Sequence, residues 1–205
     1  MNTKIKMLSV AAALAASLGL AGCAAESGPS GGGMHSNHDS SSPMSSMMPD
    51  ANADHDQADI MFARMMIPHH AQAVEMSDIV LAKPDLPADV RALATRIKDA
   101  QAPEIETMTG WLKAWNVPTM MPDHSGDGMS GMVDAEGLEK LKAAQGTEAA
   151  RLFMEQMTEH HEGAINMAKQ EIGAGKYPDA IQLARDIVTA QEAEIAEMKK
   201  LLAAL

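Results

Sequence analysis

The sequence predicts an all-α protein, a four-helix bundle made of two repeated helical hairpins with a short extra helix in the long central connection. Three observations predict it. The chain of 205 residues holds 2% aromatics and 19 methionines, and its apolar-periodic stretches are rich in Ala, Met, Leu, Glu and Lys, all strong helix formers. Residues 62–76, FARMMIPHHAQAVEM, recur as 153–167, FMEQMTEHHEGAINM, at an offset of 91. The two copies match at Phe62/Phe153, Met66/Met157, His69/His160, His70/His161, Ala73/Ala164 and Met76/Met167. Residues 93–112 recur as 183–202 at an offset of 90, matching at Leu93/Leu183, Ile97/Ile187, Gln101/Gln191, Glu104/Glu194, Ile105/Ile195 and Met108/Met198. One hairpin cannot bury its apolar face alone, whereas two related hairpins can.

The elements follow in order. A first long helix spans about 56–82; Pro68 inside it removes one backbone donor and predicts a kink. Residues 83–87, with Pro84 and Pro87, form a tight connection to a second long helix over about 88–115. Pro103 predicts a bend in that helix. Asp134 is a predicted N-cap of the short extra helix, which ends near Gly146, and Thr147 the predicted cap of a third long helix ending near 172. Gly173, Gly175 and Pro178 break the chain there. A fourth long helix runs from about 179 to the C-terminus.

Residues 1–22 resemble a targeting leader, with Lys4 and Lys6 ahead of an apolar run. Leu20-Ala21-Gly22-Cys23 then resembles a bacterial lipobox, and the chain's single cysteine stands at the position to be lipidated. The resemblance implies cleavage before Cys23, diacylglycerol on its sulfur and a lipid-anchored, extracytoplasmic protein on the periplasmic or cell-surface face. Residues 23–55 form a Gly/Ser/Met/His-rich tether, carrying Met34, His35, His38, Met44, Met47, Met48 and His55, with metal capture as an addition to its spacer role. The bundle domain takes 56–205, as repeat 1 (56–115), a Met-rich linker (116–133) and repeat 2 (134–205).

The formal net charge is −12, and loss of the leader removes two lysines and no acid. Such a chain repels nucleic acid and anionic lipid and attracts cations. With no cysteine left for a thiolate site, thioether sulfur is the available soft donor.

Helical phase places Met66, Phe62, Ala73 and Met76 on the apolar stripe of the first helix, with His69 and His70 flanking its centre about 100° apart. One histidine is then expected to face the bundle axis and the other a neighbouring helix. The third long helix repeats this with Met157, His160, His161 and Met167. On the second and fourth long helices, Glu104 and Glu194 fall mid-stripe beside Met108 and Met198, where a charge needs a partner: a His, an Arg or a metal. A His–Glu polar layer that only fixes register satisfies the same pattern. Di-iron bundles carry Glu-x-x-His on two helices. Here Met66 and Met157 replace that glutamate, and the exchange of hard oxygen for soft sulfur moves the expected metal to copper, as Cu(I), with Ag(I) as analogue. Met120, Met121, His124, Met129 and Met132 of the central linker are expected to serve auxiliary metal capture.

The doubled F-x-x-x-M-x-x-H-H-x-x-A-[IV]-x-M motif resembles the domain-of-unknown-function 305 family, over about 56–205. The resemblance implies a ferritin-like four-helix bundle and, as in some members, extracytoplasmic copper or silver binding that contributes to copper tolerance. The implied metal residues are Met66, His69, His70, Met76, Met157, His160, His161 and Met167. Glu159 stands where the first copy has Pro68, so the copies are expected to differ in geometry. Met108, Met198, Glu104 and Glu194 come from helical phase alone, the glutamates as groups that orient imidazoles or as alternative ligands.

Three functions follow from these features. The first is a non-enzymatic metal-binding lipoprotein for copper sequestration, tolerance or delivery. Its expected partners are metal ions, a membrane reached through Cys23 and a copper-donor or acceptor protein. The second is a ferritin-like di-metal or copper oxidase built on Glu104, Glu194 and the histidines. The third is a structural or partner-binding bundle with a metal-free His–Glu core.

Overall fold

The computed structural model describes residues 54–119 and 129–205. Five helices make up the regular structure of these residues: α1 (Gln57–Leu81), α2 (Ala88–Ala114), α3 (Ala135–Ala143), α4 (Gly146–Ala174) and α5 (Pro178–Leu202). None of them is long and apolar enough to cross a membrane. Cys23, nearly all of the tether, and Met120, Met121 and His124 lie outside the described residues.

Local chemistry sets the helix ends. The Asp56 side chain accepts from the N–H groups of Ala58 and Asp59, while Asp59 returns a bond to the Asp56 N–H, forming a reciprocal capping box. Asp59 also accepts from the backbone N–H groups of Lys176 and Tyr177, which pins the start of α1 to the α4–α5 turn. Asp134 caps α3 through the Gly137 N–H, as its sequence position predicts. The predicted cap at Thr147 is wrong: α4 starts one residue earlier, at Gly146, whose φ of +52° suits glycine, and Gln145 precedes it without a side-chain cap. The Gly173 break is also wrong, since α4 runs to Ala174. Both α1 and α2 continue through their prolines, Pro68 and Pro103.

The helices pack as two hairpins, α1 on α2 and α4 on α5, joined mainly along the α1–α4 seam, with α2 and α5 in lighter contact. α3 lies against both α1 and α4. The core falls into two apolar clusters. One gathers Met76, Leu93, Ile97, Phe153, Met157 and Met198; the other gathers Phe62, Met66, Met108, Leu112, Met167 and Ile187. Along every long helix the two clusters are separated by polar residues: His69 and His70, Gln101 and Glu104, His160 and His161, Gln191 and Glu194. The bundle therefore carries one polar layer between two apolar halves. At one end, Tyr177 packs edge to face with both Trp111 and Trp115, and His55 stacks on Trp115 at 4.3 Å between ring centroids. His55 is thus part of this aromatic cap and not of a free tether.

Candidate metal centre

All four histidines of the layer are fully buried. His69 and His70 point in the two directions that helical phase requires. His69 turns inward to His160, with ring centroids 3.7 Å apart and planes tilted by 35°. His70 turns sideways to α2, where its Nε2 lies 2.6 Å from Glu104 Oε2. The second repeat copies this contact: His161 Nε2 lies 2.7 Å from Glu194 Oε2. The partner left open for the mid-stripe glutamates is in each case a histidine.

These contacts assign tautomers. A carboxylate only accepts, so His70 and His161 donate through Nε2–H; in the neutral form of either ring the lone pair is on Nδ1. His69 donates through Nε2 to the Ser130 carbonyl at 3.3 Å, which again leaves the lone pair on Nδ1. All three Nδ1 atoms are buried without a hydrogen-bond partner. Neither ring nitrogen of His160 has a well-formed hydrogen bond, and only a weak contact with the His69 backbone favours its charged form. Burial, then electrostatic repulsion from the neighbouring His70 ring, pushes the His69 pKa down to about 3, against the weaker pull of the Ser130 carbonyl. Burial and the adjacent His69, His161 and His70 hold His160 well below the ordinary value. Both are neutral at pH 7, the state in which imidazole binds metal.

Repeat-matched methionines fall in the two apolar clusters, three in each, and Met154 adds a fourth to one of them. Met66, Met108 and Met167 share one cluster; Met157, Met198 and Met76 share the other. The internal repeat exchanges the groups, residue for residue. All are fully buried except Met167, at 8% exposed, and Met198 Sδ accepts from Thr158 Oγ1 at 3.8 Å. Among the described residues no three His, Cys, Asp or Glu side chains converge as a metal-holding group. Met129 and Met132 are half-buried in the segment before α3 and belong to neither methionine cluster.

The sequence reading missed the loop that holds His69. Gly131, with φ of +84°, packs directly on Gly163 of α4. A Cβ on Gly163 would sit 2.0 Å from the Ser130 carbonyl oxygen, and one on Gly131 2.6 Å from the Glu159 oxygen. Two glycines thus let the loop approach the helix closely enough for Ser130 to reach His69. A glycine inside a long helix, two residues past a His-His pair, was the available signal.

A family model described as domain of unknown function (DUF305) matches residues 59–202. The chain belongs to the DUF305 family. No curated protein matches it. Among solved structures, this DUF305 chain is similar to a candidate secreted DUF305 protein of Streptomyces coelicolor, at 40% identity and a TM-score of 0.68. That match covers 72% of this chain and 93% of the other. A DUF305 fragment from Deinococcus radiodurans is 30% identical with a TM-score of 0.67, covering 73% of this chain and 97% of that one. CopM in its Cu(I)-bound form is 31% identical with a TM-score of 0.61, covering 71% and 96%. CopM is also solved in Cu(II)-bound and Ag-bound forms.

Proposed function

We propose that this protein is an extracytoplasmic, lipid-anchored copper-binding protein. It holds Cu(I), or Ag(I) as analogue, on methionine and histidine, and serves copper sequestration, tolerance or delivery. The observation that carries the reading is the polar layer. His69 and His160 are buried and neutral, the Nδ1 atoms of all four histidines lack a hydrogen-bond partner, Glu104 and Glu194 fix the other two rings through their Nε2–H, and buried methionines line the apolar clusters on both sides of the layer. A carboxylate that orients a ligating imidazole from its far nitrogen is a recurrent support for metal sites. Thioether and neutral imidazole together suit Cu(I). The similarity to CopM, solved with Cu(I), Cu(II) and Ag, supports the same metal class. Met66, His69, His70, Met76, Met108 and their repeat mates Met157, His160, His161, Met167 and Met198 form the donor set in this reading. Met120, Met121, His124, Met129 and Met132 serve capture. The architecture is read as ferritin-like, with the anchor at Cys23. The role is binding and not catalysis: both mid-stripe glutamates are engaged by histidine, so they are not free as hard ligands for a di-metal oxidase.

The test is an anaerobic Cu(I) titration of the mature chain against a competing chelator, beside a variant with His69, His70, His160 and His161 changed to Ala. The expected result is loss of the tightest site in a variant that stays helical by circular dichroism. Equal affinities in the two proteins would reduce the His–Glu layer to a device that fixes helix register.

A further inference from the structure

The repeat gives the α1–α4 seam two equivalent grooves, one in each half of the bundle, and the structure treats them differently. One is covered by α3. Leu138 and Leu141 of α3 pack with Val80 and Phe153, the Gln156 amide donates to the Gly137 carbonyl, and Lys83 Nζ donates to the carbonyls of Lys142 and Ala144. The related groove is an open cleft of about 160 Å³ lined by Met61, Phe62, Met65, Met167 and Glu171, among others. At the 91-residue offset, Met61 replaces Leu152, Met65 replaces Gln156 and Glu171 replaces Val80. Groups that serve packing and α3 docking on the covered side thus become two thioethers and a carboxyl on the open side.

Glu171 is 2% exposed, and neither of its carboxyl oxygens receives an N–H or hydroxyl donor. Its neighbour is the Asp59 carboxyl, already engaged by the Asp56, Lys176 and Tyr177 N–H groups. No Lys or Arg lines the cleft. Met61 and Met65 stand one helical turn apart on the same face of α1, both half-buried. Three thioethers beside a buried carboxyl without a donor suit a soft cation of low charge. We propose that this cleft is a second metal site, binding Ag(I) or Cu(I) through the thioethers of Met61, Met65 and Met167 with Glu171 as an oxygen ligand that releases the proton it shares with Asp59 as the ion binds. The site rests on the copper reading for its metal class alone. Met167 also belongs to the buried group with Met66 and Met108, so an ion in the cleft is one side chain from the histidine layer.

The experiment counts Ag(I) ions on the full mature chain by native mass spectrometry. It also follows the methionine methyl and histidine ring signals by NMR. Met61→Leu/Met65→Leu keeps volume and apolarity, and leucine already occupies the equivalent position 152. The double variant is expected to bind one Ag(I) fewer than wild type while the histidine signals respond unchanged. Glu171→Gln is expected to weaken that same ion at least tenfold. Unchanged stoichiometry in the double variant, or Met61 and Met65 methyl signals indifferent to Ag(I), overturns the cleft site. The central reading fails separately: a His69→Ala/His160→Ala variant that loses no ion while the double methionine variant loses one would leave the cleft standing without the histidine site.

Discussion

His69 and His160, equivalent residues of the two repeats, stack against each other at the centre of the bundle, 3.7 Å apart between ring centroids. That distance leaves no room for an ion between the ring faces, so any metal must approach their edges, where the lone pairs are. It also makes protonation of either ring unfavourable, because a cation would be buried against a second imidazole. Both folded-state pKa values are depressed, that of His69 to about 3, by burial first and by neighbouring histidines second.

Acid should therefore unfold the metal-free protein early. Between pH 6.5 and about 3 the unfolded chain binds protons that the folded His69 refuses, so stability is complete above this window and falls as pH drops through it. Each such group contributes a slope approaching about 1.4 kcal/mol per pH unit. Urea midpoints measured from pH 7.5 to 4.5 should decline steadily, and replacement of His160 by Gln should flatten the decline. A flat wild-type profile down to pH 5 would contradict the buried stack.

Glu104 and Glu194 act on metal through His70 and His161. Replacing Glu104 by Ala frees the His70 ring to turn and to change tautomer. Cu(I) affinity should fall by about 10–100-fold, the usual cost of losing such a support. The ¹⁵N shifts of His70 should move from the Nε2–H form toward a tautomer mixture, a change that a merely space-filling Glu104 would not produce.

The methionines separate packing from chemistry. Met157→Leu conserves volume in a fully buried site, so apo stability should change by less than about 1.5 kcal/mol. Binding should suffer, because leucine offers no sulfur, and a chelator competition should show at least a tenfold loss of Cu(I) affinity. If stability fell sharply while affinity held, Met157 would be a core residue and no ligand.

Much of this arrangement was legible because the repeat doubles every signal. The offset of the His-His pairs placed two hairpins face to face, and 3.6-residue phase sent one histidine of each pair inward and the other toward a neighbouring helix, with the partner of each mid-stripe glutamate left open among His, Arg and metal. Gln101 and Gln191, buried in the same layer, also matched between the repeats. Long-range contacts were not legible. The Gly131–Gly163 approach depends on where a loop returns after a long connection, and the Asp59–Glu171 contact joins residues from opposite repeats. Neither leaves a periodic trace. The misplaced cap at Thr147 has a local cause: the hydroxyl suits a cap, but Gly146, with its positive φ, makes the entry turn, so Thr147 already lies inside the helix.

Gly163→Ala tests the loop contact directly. The added methyl would overlap the Ser130 carbonyl, so the loop must lift and the His69 Nε2–H must lose its acceptor. A cost of about 1–3 kcal/mol is expected from overpacking, in a helix interior where alanine is otherwise the better residue. A stabilised variant would show that the loop does not rest on α4.

Glu171 predicts the opposite pH trend from the histidines. Burial, then its hydrogen bond with Asp59 and the Asp59 charge, raises its pKa to about 8 from an ordinary 4.5. Asp59 is itself held below its usual value: burial pushes it up, but the bond from Glu171 and the N–H groups of Tyr177, Asp56 and Lys176 outweigh that. The folded pair therefore keeps a proton on Glu171 that the unfolded chain releases above pH 4.5. By linkage its contribution to stability is full below pH 4.5 and is lost as pH rises through about 8. Glu171→Gln supplies an amide N–H to Asp59 at every pH. The variant should resemble wild type near pH 5 and exceed its stability by about 1–3 kcal/mol at pH 8.5, where wild type holds two buried carboxylates with no shared proton. Equal melting temperatures across that range would mean that Glu171 ionises freely, and that the turn between α4 and α5 is tied to α1 by Asp59 alone.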